Sequence, residues 1–383
     1  LKITGGDITV TAVNDGIKGR DSVAVLDGTI TVNAGGDGLQ SNNDEDPEKG
    51  YVAIEGGTLD ITAGMDGIQA QTNLLVSGGN ITISAGSSGS ADSGKGLKAG
   101  VNVTIEDGAI EIDAVDDAVH SNDSIVINGG DMILASGDDG VHADTSLEIN
   151  GGDLTVVQSY EGIESQAIVI NDGTMHLISS DDGINGSTGG GGWGAPGSGD
   201  SSLVISGGYV FVDAGSDCID VNGTGTMNEG VVILNGSAVG DNPSLDVDGM
   251  LEIHGGFLVG VGSTTMVQSP SAASTQYSVL EILPSSQPAG SMIHIESEDG
   301  QEILTYVPEK TYQAVVISSP ELEDGTTYIV YTGGSSTGKV TDGLYSDGTY
   351  TGGTQIASFT ITSMVTGEST GMGGFRGGGR SRP

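Results

Sequence analysis

Acidic residues recur at one position of a repeating pattern, two residues before an aliphatic residue. The members of this acidic column, with one lysine among them, are Asp15, Asp37, Asp66, Lys95, Asp117, Asp139, Glu161, Asp182 and Asp217. In three repeats the residue before the column is acidic as well: Asp116, Asp138 and Asp181. A second polar column follows three residues after the aliphatic residue: Arg20, Asn42, Gln71, Asn122, Asp144, Gln166 and Asn222. Aligned oxygen ligands of this kind point to cation binding.

Stacked carboxylates need a counter-charge. In neighbouring strands about 4.8 Å apart, two carboxylates repel each other by roughly 1 kcal/mol in water and by more in a protein. Either some of them stay protonated or cations lie between them. Calcium accepts carboxylate, amide and carbonyl oxygens, whereas zinc would lack its cysteine and histidine partners. We therefore expect calcium, most strongly where Asp116, Asp117, Asp138 and Asp139 accompany the second polar column.

A purely structural explanation of the column is open at this point. An Asp-Gly pair makes a tight corner in which the aspartate bonds its own backbone. The lysine in the column fits both explanations, because the ammonium group of Lys95 would replace one cation.

Lysines near the column suggest an alternative, catalytic chemistry. In a calcium-dependent lyase the metal acidifies the proton beside a uronate carboxyl group, and a basic side chain removes that proton. Lys18 and Lys98 stand one residue after the aliphatic residue, and Lys95 stands in the column. We interpret these lysines as charge balancers, and we interpret His120 and His142, in the position of Lys98, as solvated side chains.

Aromatic residues that would stack on a sugar are few. Trp193 is the only tryptophan and lies in a Gly-rich insertion, where it either stacks on a sugar or anchors the loop. Tyr209 and Phe211 occupy outward strand positions and are further candidates for carbohydrate binding.

The elements that position these residues form a repeat. Gly-Gly pairs recur with a usual spacing of 22 residues, as from Gly6 to Gly28 and from Gly130 to Gly152. Each unit contains three short segments in which apolar and polar residues alternate, the pattern of β-strands. One inward column is Ile17, Leu39, Ile68, Leu97, Val119, Val141, Ile163, Ile184 and Ile219. We predict that residues 1–262 form a right-handed parallel β-helix of about ten coils.

The period is interrupted and then ends. Insertions fall at Asn42 to Gly50, Ser87 to Gly94 and Ser187 to Ser201. Residues 263–365 contain alternating segments between Pro and Gly turns, which predict a C-terminal β cap over the open strand edges. Residues 366–383 are rich in Gly and Arg and are predicted to be a disordered tail.

Composition narrows the range of partners. The chain of 383 residues carries 52 acidic and 11 basic residues, a formal net charge of -41. Such charge disfavours nucleic acid and anionic membranes. No segment approaches the roughly 20 apolar residues of a membrane span, so we expect no membrane insertion. The single cysteine, Cys218, permits no intramolecular disulfide, and we expect a monomer.

Three sequence stretches resemble a known family. The motif GGxIxVxAxxDGI, the run NDEDPEKGYVAIEGGT and the segment from SNDSIVINGGD to YEGIES are similar to secreted bacterial carbohydrate-binding β-helix proteins, first named as a domain of unknown function. The likeness covers about residues 1 to 350 and extends to loop positions. It implies a pectate-lyase-like fold without demonstrated catalysis, binding of cellulose or acidic pectic sugars, and calcium between coils. The calcium role carries over to Asp15, Asp37, Asp66, Asp117, Asp139, Asp182 and Asp217, with Asn42, Asn122 and Asp144 as candidates.

Together these features predict an extracellular or cell-surface bacterial protein that binds polysaccharide with calcium and is not an enzyme. No signal peptide is visible, because the first residues already follow the repeat. The alternatives are a calcium-dependent lyase acting on uronates and a calcium-stiffened structural rod.

Overall fold

The computed structural model describes residues 1–86, 94–187, 200–237, 240, 242–367 and 369. Within these ranges the protein is all-β, since it contains strands and no helix. These ranges accordingly hold no helix that is long and apolar enough to cross a membrane.

Short strands fill the repeats of the sequence, and several of the longer ones span a Gly corner. Their bounds are β1 Lys2–Ala12, β2 Ile17–Gly19, β3 Ser22–Ala34, β4 Leu39–Ser41, β5 Tyr51–Ile54, β6 Thr58–Ala63, β7 Ile68–Ala70, β8 Asn73–Ala85, β9 Leu97–Ala99, β10 Asn102–Ala114, β11 Val119–Ser121, β12 Ser124–Ile127, β13 Asp131–Ser136, β14 Val141–Ile149, β15 Asp153–Gln158, β16 Ile163–Ile170, β17 Thr174–Ser179, β18 Ile184–Gly186, β19 Ser201–Ile205, β20 Tyr209–Ala214, β21 Ile219–Val221, β22 Gly223–Met227, β23 Val231–Asn235, β24 Leu245–Val247, β25 Leu251–Ile253 and β26 Phe257–Gly262.

The later strands follow without the repeat. They are β27 Ser278–Gln287, β28 Ile293–Ser297, β29 Glu302–Tyr306, β30 Tyr312–Ser318, β31 Thr327–Thr332, β32 Ser335–Ser336, β33 Lys339–Thr341, β34 Leu344–Ser346, β35 Tyr350–Thr351, β36 Thr354–Thr360 and β37 Val365–Thr366.

Strands of successive repeats pair in parallel and in register. The middle strands form one continuous ladder, β2–β4–β7–β9–β11–β14–β16–β18–β21–β24. Within it Ile17 lies beside Leu39, and Leu39 lies beside Ile68, so equivalent residues of neighbouring repeats are direct neighbours. Two further parallel ladders run through the first and third strands of each repeat. We call this set of three ladders the stack.

The aliphatic columns form the interior of the stack. Every member of the middle column is at most 7% exposed, and most of them are fully buried. The predicted inward pattern is therefore confirmed, except that Ile8 and Val10 of the first strand are only partly buried. Apolar burial of this extent is the main force that stabilises the repeats.

Glycine at the corners allows the repeats to approach closely. Gly130 has a φ angle of +94°, and a Cβ atom there would lie 2.9 Å from the carbonyl oxygen of Gly108 in the preceding repeat. A side chain at this position would meet both backbone strain and a steric clash.

The C-terminal strands close the end of the stack and cover one of its faces. Strand β30 pairs antiparallel with β26 and with β27, which ends the parallel ladder. A six-stranded sheet, in the order β33–β34–β29–β28–β31–β36, contributes to a second apolar cluster together with Phe211, Ile233 and Val259 of the stack. Strands predicted in this region are confirmed, whereas the domain boundary at residue 262 stays a prediction.

One of the three insertions is described in full and the other two in part. The insertion at residues 42–50 is ordered by Asn43, whose side-chain oxygen accepts hydrogen bonds from the backbone N–H groups of Glu45 and Asp46. Residues 87–93 and 188–199 of the other two insertions lie outside the described residues. The parallel ladders are compatible with the predicted right-handed parallel β-helix, which itself stays a prediction.

Candidate functional site

The acidic column lies at one corner of the stack, just before the middle ladder. Its members come next to one another because the strands that follow them are paired in register. The nearly buried members, between 1% and 9% exposed, are Asp37, Asp66, Asp117, Asp139, Asp182 and Asp217. Buried carboxylates need partners, so each oxygen has to be accounted for.

One oxygen of most column carboxylates has a structural role. The backbone N–H of Asp66 donates to Oδ1 of Asp37 at 3.1 Å, and that of Asp139 donates to Oδ1 of Asp117 at 3.1 Å. The backbone N–H of Asp217 donates to Oδ1 of Asp182 at 2.9 Å in the same way. These bonds join neighbouring repeats, unlike the local Asp-Gly corner considered above. The column thus satisfies backbone donors at the corner, which are costly to bury unpaired.

The second oxygen is paired in the first repeats. Lys18 Nζ lies 2.9 Å from Oδ2 of Asp15, and Gln40 donates to Oδ2 of Asp37. Oδ2 of Asp66 accepts from Lys98 at 3.0 Å, which reaches it from the next repeat. These carboxylates already have a cationic or amide partner.

Lys95 supplies the counter-charge for the doubled acidic pair. Its Nζ lies 2.9 Å from Asp116 and 2.5 Å from Oδ2 of Asp117. Although burial lowers the pKa of Lys95, the charge and hydrogen bond of Asp117 raise it above its ordinary value. Burial opposes ionisation of Asp117, but hydrogen bonding from His120 and the charge of Lys95 hold its pKa below the ordinary value. Lys95 thus pairs with both acidic residues of the next repeat, and its role in place of a cation stays a prediction.

Two histidines extend this pattern to the next repeats. His120 Nδ1 lies 2.7 Å from Oδ2 of Asp117, and His142 Nδ1 lies 3.0 Å from Oδ2 of Asp139. Burial lowers the pKa of His142, but its hydrogen bond to Asp139 and the charge of Glu164 raise it to about 9. His142 is therefore cationic near pH 7. The interpretation of these histidines as solvated side chains is wrong, because both are largely buried against carboxylates.

The second polar column lies farther out. Asn122 is exposed and bonds His120 Nε2 at 3.0 Å, and Asp144 lies 3.5 Å from His142 Nε2. Asn42 is exposed at the start of its insertion.

Oxygens of Asp116, Asp117 and Asp138 lie within 4.8 Å of one another, with Lys95 bound to the first two. Calcium at Asp117 and Asp139, where we expected it most strongly, would meet basic groups already in place.

Beyond Asp139 the basic partners disappear. The position held by Lys98, His120 and His142 is occupied in the following repeats by acidic or amide residues, namely Glu164, Asn185, Asp220 and Asp246. No lysine, arginine or histidine pairs with Glu161, Asp182 or Asp217 in the part of the chain that the structure describes. We call Glu161, Asp182, Asn185, Asp217 and Asp220 the late acidic cluster.

The late acidic cluster holds protons unusually strongly. Burial, together with the charges of Glu164 and Asp139, raises the pKa of Glu161 to about 9. Burial and the charge of Asp182 raise the pKa of Asp217 to about 9 and that of Asp220 to about 7. Without a cation, several of these groups stay neutral near pH 7.

Two oxygens in this cluster have no hydrogen-bond partner among the described residues. They are Oδ1 of Asp217 and Oδ1 of Asn185, in side chains only 9% and 8% exposed. The amide nitrogen of Asn185 donates to Glu161 at 2.6 Å, which leaves its oxygen unpaired in the cluster. Unpaired buried acceptors are uncommon in proteins, and a bound water or cation is the usual explanation. A donor set made only of oxygens suits calcium.

The carbohydrate candidates lie in different surroundings. Trp193 lies outside the described residues. Phe211 is 6% exposed and belongs to the second apolar cluster. Tyr209 is half-buried, and its hydroxyl group donates to Asp342 at 2.7 Å. Tyr160, which sequence reasoning missed, is 48% exposed and precedes Glu161. Its pKa is raised to about 12 by a hydrogen bond to Asp181, at the rim of the late acidic cluster.

Comparison with known proteins agrees with a carbohydrate-binding chain. A family model described as a carbohydrate-binding domain-containing protein matches residues 1–140. Neither the curated proteins nor the solved structures contain a match to this chain. The matched part includes the paired half of the acidic column, from Asp15 to Asp139, and supports carbohydrate binding as the general function.

Proposed function

We propose that this chain is an extracellular, non-catalytic protein that binds acidic polysaccharide through calcium, on a right-handed parallel β-helix. The family match supports the carbohydrate part of the proposal. The observation that supports calcium is the pair of unpartnered buried oxygens, on Asp217 and Asn185, within a cluster that has no basic partner among the described residues.

The late acidic cluster is the best place for the metal. Glu161, Asp182, Asn185, Asp217 and Asp220 offer carboxylate and amide oxygens, the ligands that calcium prefers. A cation bound beside Glu161, or one bound beside Asp217, would replace the proton on that carboxyl group, since each has a pKa of about 9. The same residues lack the cysteine and histidine ligands of a zinc site.

Calcium solves the problem that two anionic partners repel each other. A protein with a net charge of -41 would reject a polyuronate unless a cation is shared between them. Asp181 and the exposed Tyr160 lie at the rim of the cluster, where a sugar ring would stack on the tyrosine while its carboxylate reaches the metal. Phe211 is buried and does not contribute to such a surface, so the proposal favours an acidic glycan over cellulose.

The lysines of the lyase alternative are engaged in ion pairs. Lys18 pairs with Asp15, Lys98 with Asp66, and Lys95 with Asp117. The raised pKa of Lys95 keeps its amine protonated, so Lys95 cannot accept a proton from a substrate. Binding without catalysis is therefore our proposal for the described residues.

The test is binding of polygalacturonate with calcium and with excess chelator. We expect binding to require calcium and to be largely lost in the double variant Asp217→Asn, Asp220→Asn. The matched control is Asp131→Asn with Asp153→Asn, which removes the same charge from exposed positions at the Gly corner and should bind normally.

Each other outcome contradicts the proposal in its own way. Binding that persists in chelator rules out the calcium bridge. A rise in ultraviolet absorbance from unsaturated product shows a lyase. Strong thermal stabilisation by calcium, without binding to any sugar on a glycan array that includes cellulose, shows a structural rod.

A further inference from the structure

A cleft lies between the stack and the C-terminal six-stranded sheet. It has a volume of about 590 Å³, within the usual range for small-ligand sites. Phe257 lines it from the last strand of the stack, and Leu304, Tyr345 and Asp347 line it from the C-terminal strands and their turns. The cleft lies outside residues 1–140, which match the family model, and outside the late acidic cluster.

The charge of this cleft is one-sided. Its carboxylates come from Glu302, Glu321 and Asp347, and no lysine, arginine or histidine is among the described residues that line it. Glu302 is the least available of the three, because its Oε2 lies 3.8 Å from Nδ1 of the buried His294. Glu321 and Asp347 are exposed, and neither forms an ion pair with another described residue. A cationic ligand complements these groups, and a uronate is repelled by them.

The opposite part of the lining is apolar and aromatic. Phe257 and Tyr345 are partly exposed. Ile303 and Leu304 are buried members of the second apolar cluster, and Phe257 packs against that cluster. The C–H face of a sugar ring packs on an aromatic ring, and an ammonium group is attracted to the ring face. The lining thus combines a surface for a sugar ring with acceptors for a positively charged donor.

We propose that this cleft binds a protonated amino-sugar unit of a polysaccharide, such as glucosamine. The ring packs against Phe257 and Tyr345, and the ammonium group and hydroxyls donate to Glu321 and Asp347. This site is separate from the calcium-dependent one, so the two proposals fail independently.

The experiment measures binding of a chitosan oligosaccharide to the full chain at mildly acidic pH, where the amines are protonated. The double variant Glu321→Gln, Asp347→Asn should weaken binding about tenfold or more, because it removes both charged acceptors of the ammonium group. Asn suits position 347, where φ is +55°. The matched control is Glu111→Gln with Asp113→Asn, on the exposed outer face of the stack. Tyr345→Ala tests the stacking contact without changing charge.

Three results would overturn the proposal. Equal loss in the cleft variant and the control variant would show general attraction to an acidic protein. Equally tight binding of the neutral, N-acetylated oligosaccharide would remove the role of the ammonium group. Equally tight and equally sensitive binding of an oligolysine of matched charge would show a site for basic peptides. Polygalacturonate binding with calcium should be the same in the cleft variant as in the unmodified chain.

Discussion

Calcium binding to the late acidic cluster should release protons. Glu161 and Asp217 each have a pKa of about 9, because both are buried among other carboxylates. Near pH 7 both groups hold a proton in the metal-free protein. A carboxylate must lose that proton before it coordinates calcium, so metal affinity and pH are linked.

The size of the effect follows from the pKa values. A pKa about two units above the ambient pH costs about 2.7 kcal/mol per proton displaced, which corresponds to about a 100-fold loss in affinity. Both groups keep some contact with solvent, which screens their repulsion. Glu161 and Asp217 lie two repeats apart, so one ion displaces the proton of only one of them. We therefore expect about one proton released per ion and roughly a tenfold gain in affinity for each pH unit between pH 7 and pH 8.

Isothermal titration calorimetry in buffers of different ionisation enthalpy measures the number of protons released. Asp217→Asn should reduce that number by about one, whereas Asp131→Asn, at an exposed position of the Gly corner, should leave it unchanged. Calcium affinity that is independent of pH, with no proton release, would refute the assignment of these two groups as metal ligands.

Three further predictions concern stability. The folded-state pKa of Asp217 is raised from 3.8 to about 9, so its contribution to folding stability is fully present below pH 3.8 and is lost as the pH rises through about 9. The metal-free melting temperature should therefore fall over that window. Calcium at 100 times its Kd should add about 2.7 kcal/mol to the free energy of unfolding. A flat melting profile in chelator would contradict this. Asp117→Ala should cost about 3 kcal/mol in urea unfolding, because it leaves the partly buried Lys95 with one partner fewer, while Asp113→Ala on the exposed face should cost little. Gly130→Ala should lower stability by about 1 to 3 kcal/mol, since its φ of +94° and its close backbone neighbour exclude a Cβ atom; an unchanged unfolding midpoint would show that the corner relaxes freely.

The repeat and its core were predictable from the sequence. Alternating aliphatic residues at a spacing of 22 residues, as at Ile8 and Ile30, predict strands that stack in register, and these residues are paired in the structure. The same register brings Asp117 and Asp139 next to each other. Local alternation was sufficient here because each repeat contacts mainly its neighbours.

The outer surface of the last repeats was not predictable in the same way. Phe211 and Tyr209 look like sugar-stacking residues when their strand is considered alone. In the fold, Phe211 packs in the second apolar cluster, and Tyr209 bonds Asp342 from a turn 133 residues later in the chain. Contacts of this kind depend on how the C-terminal strands fold back, which strand periodicity does not contain.

The sequence by itself determined that carboxylates line up at one corner of the repeats, because their position relative to the inward column is constant. Only the tertiary structure decided which of them are neutralised. Lys98 reaches Asp66 in the preceding repeat, His142 turns toward Asp139, and Asp217 is left without a basic partner among the described residues. The physical reason is that an ion pair requires atoms within about 4 Å of each other, whatever their separation along the chain.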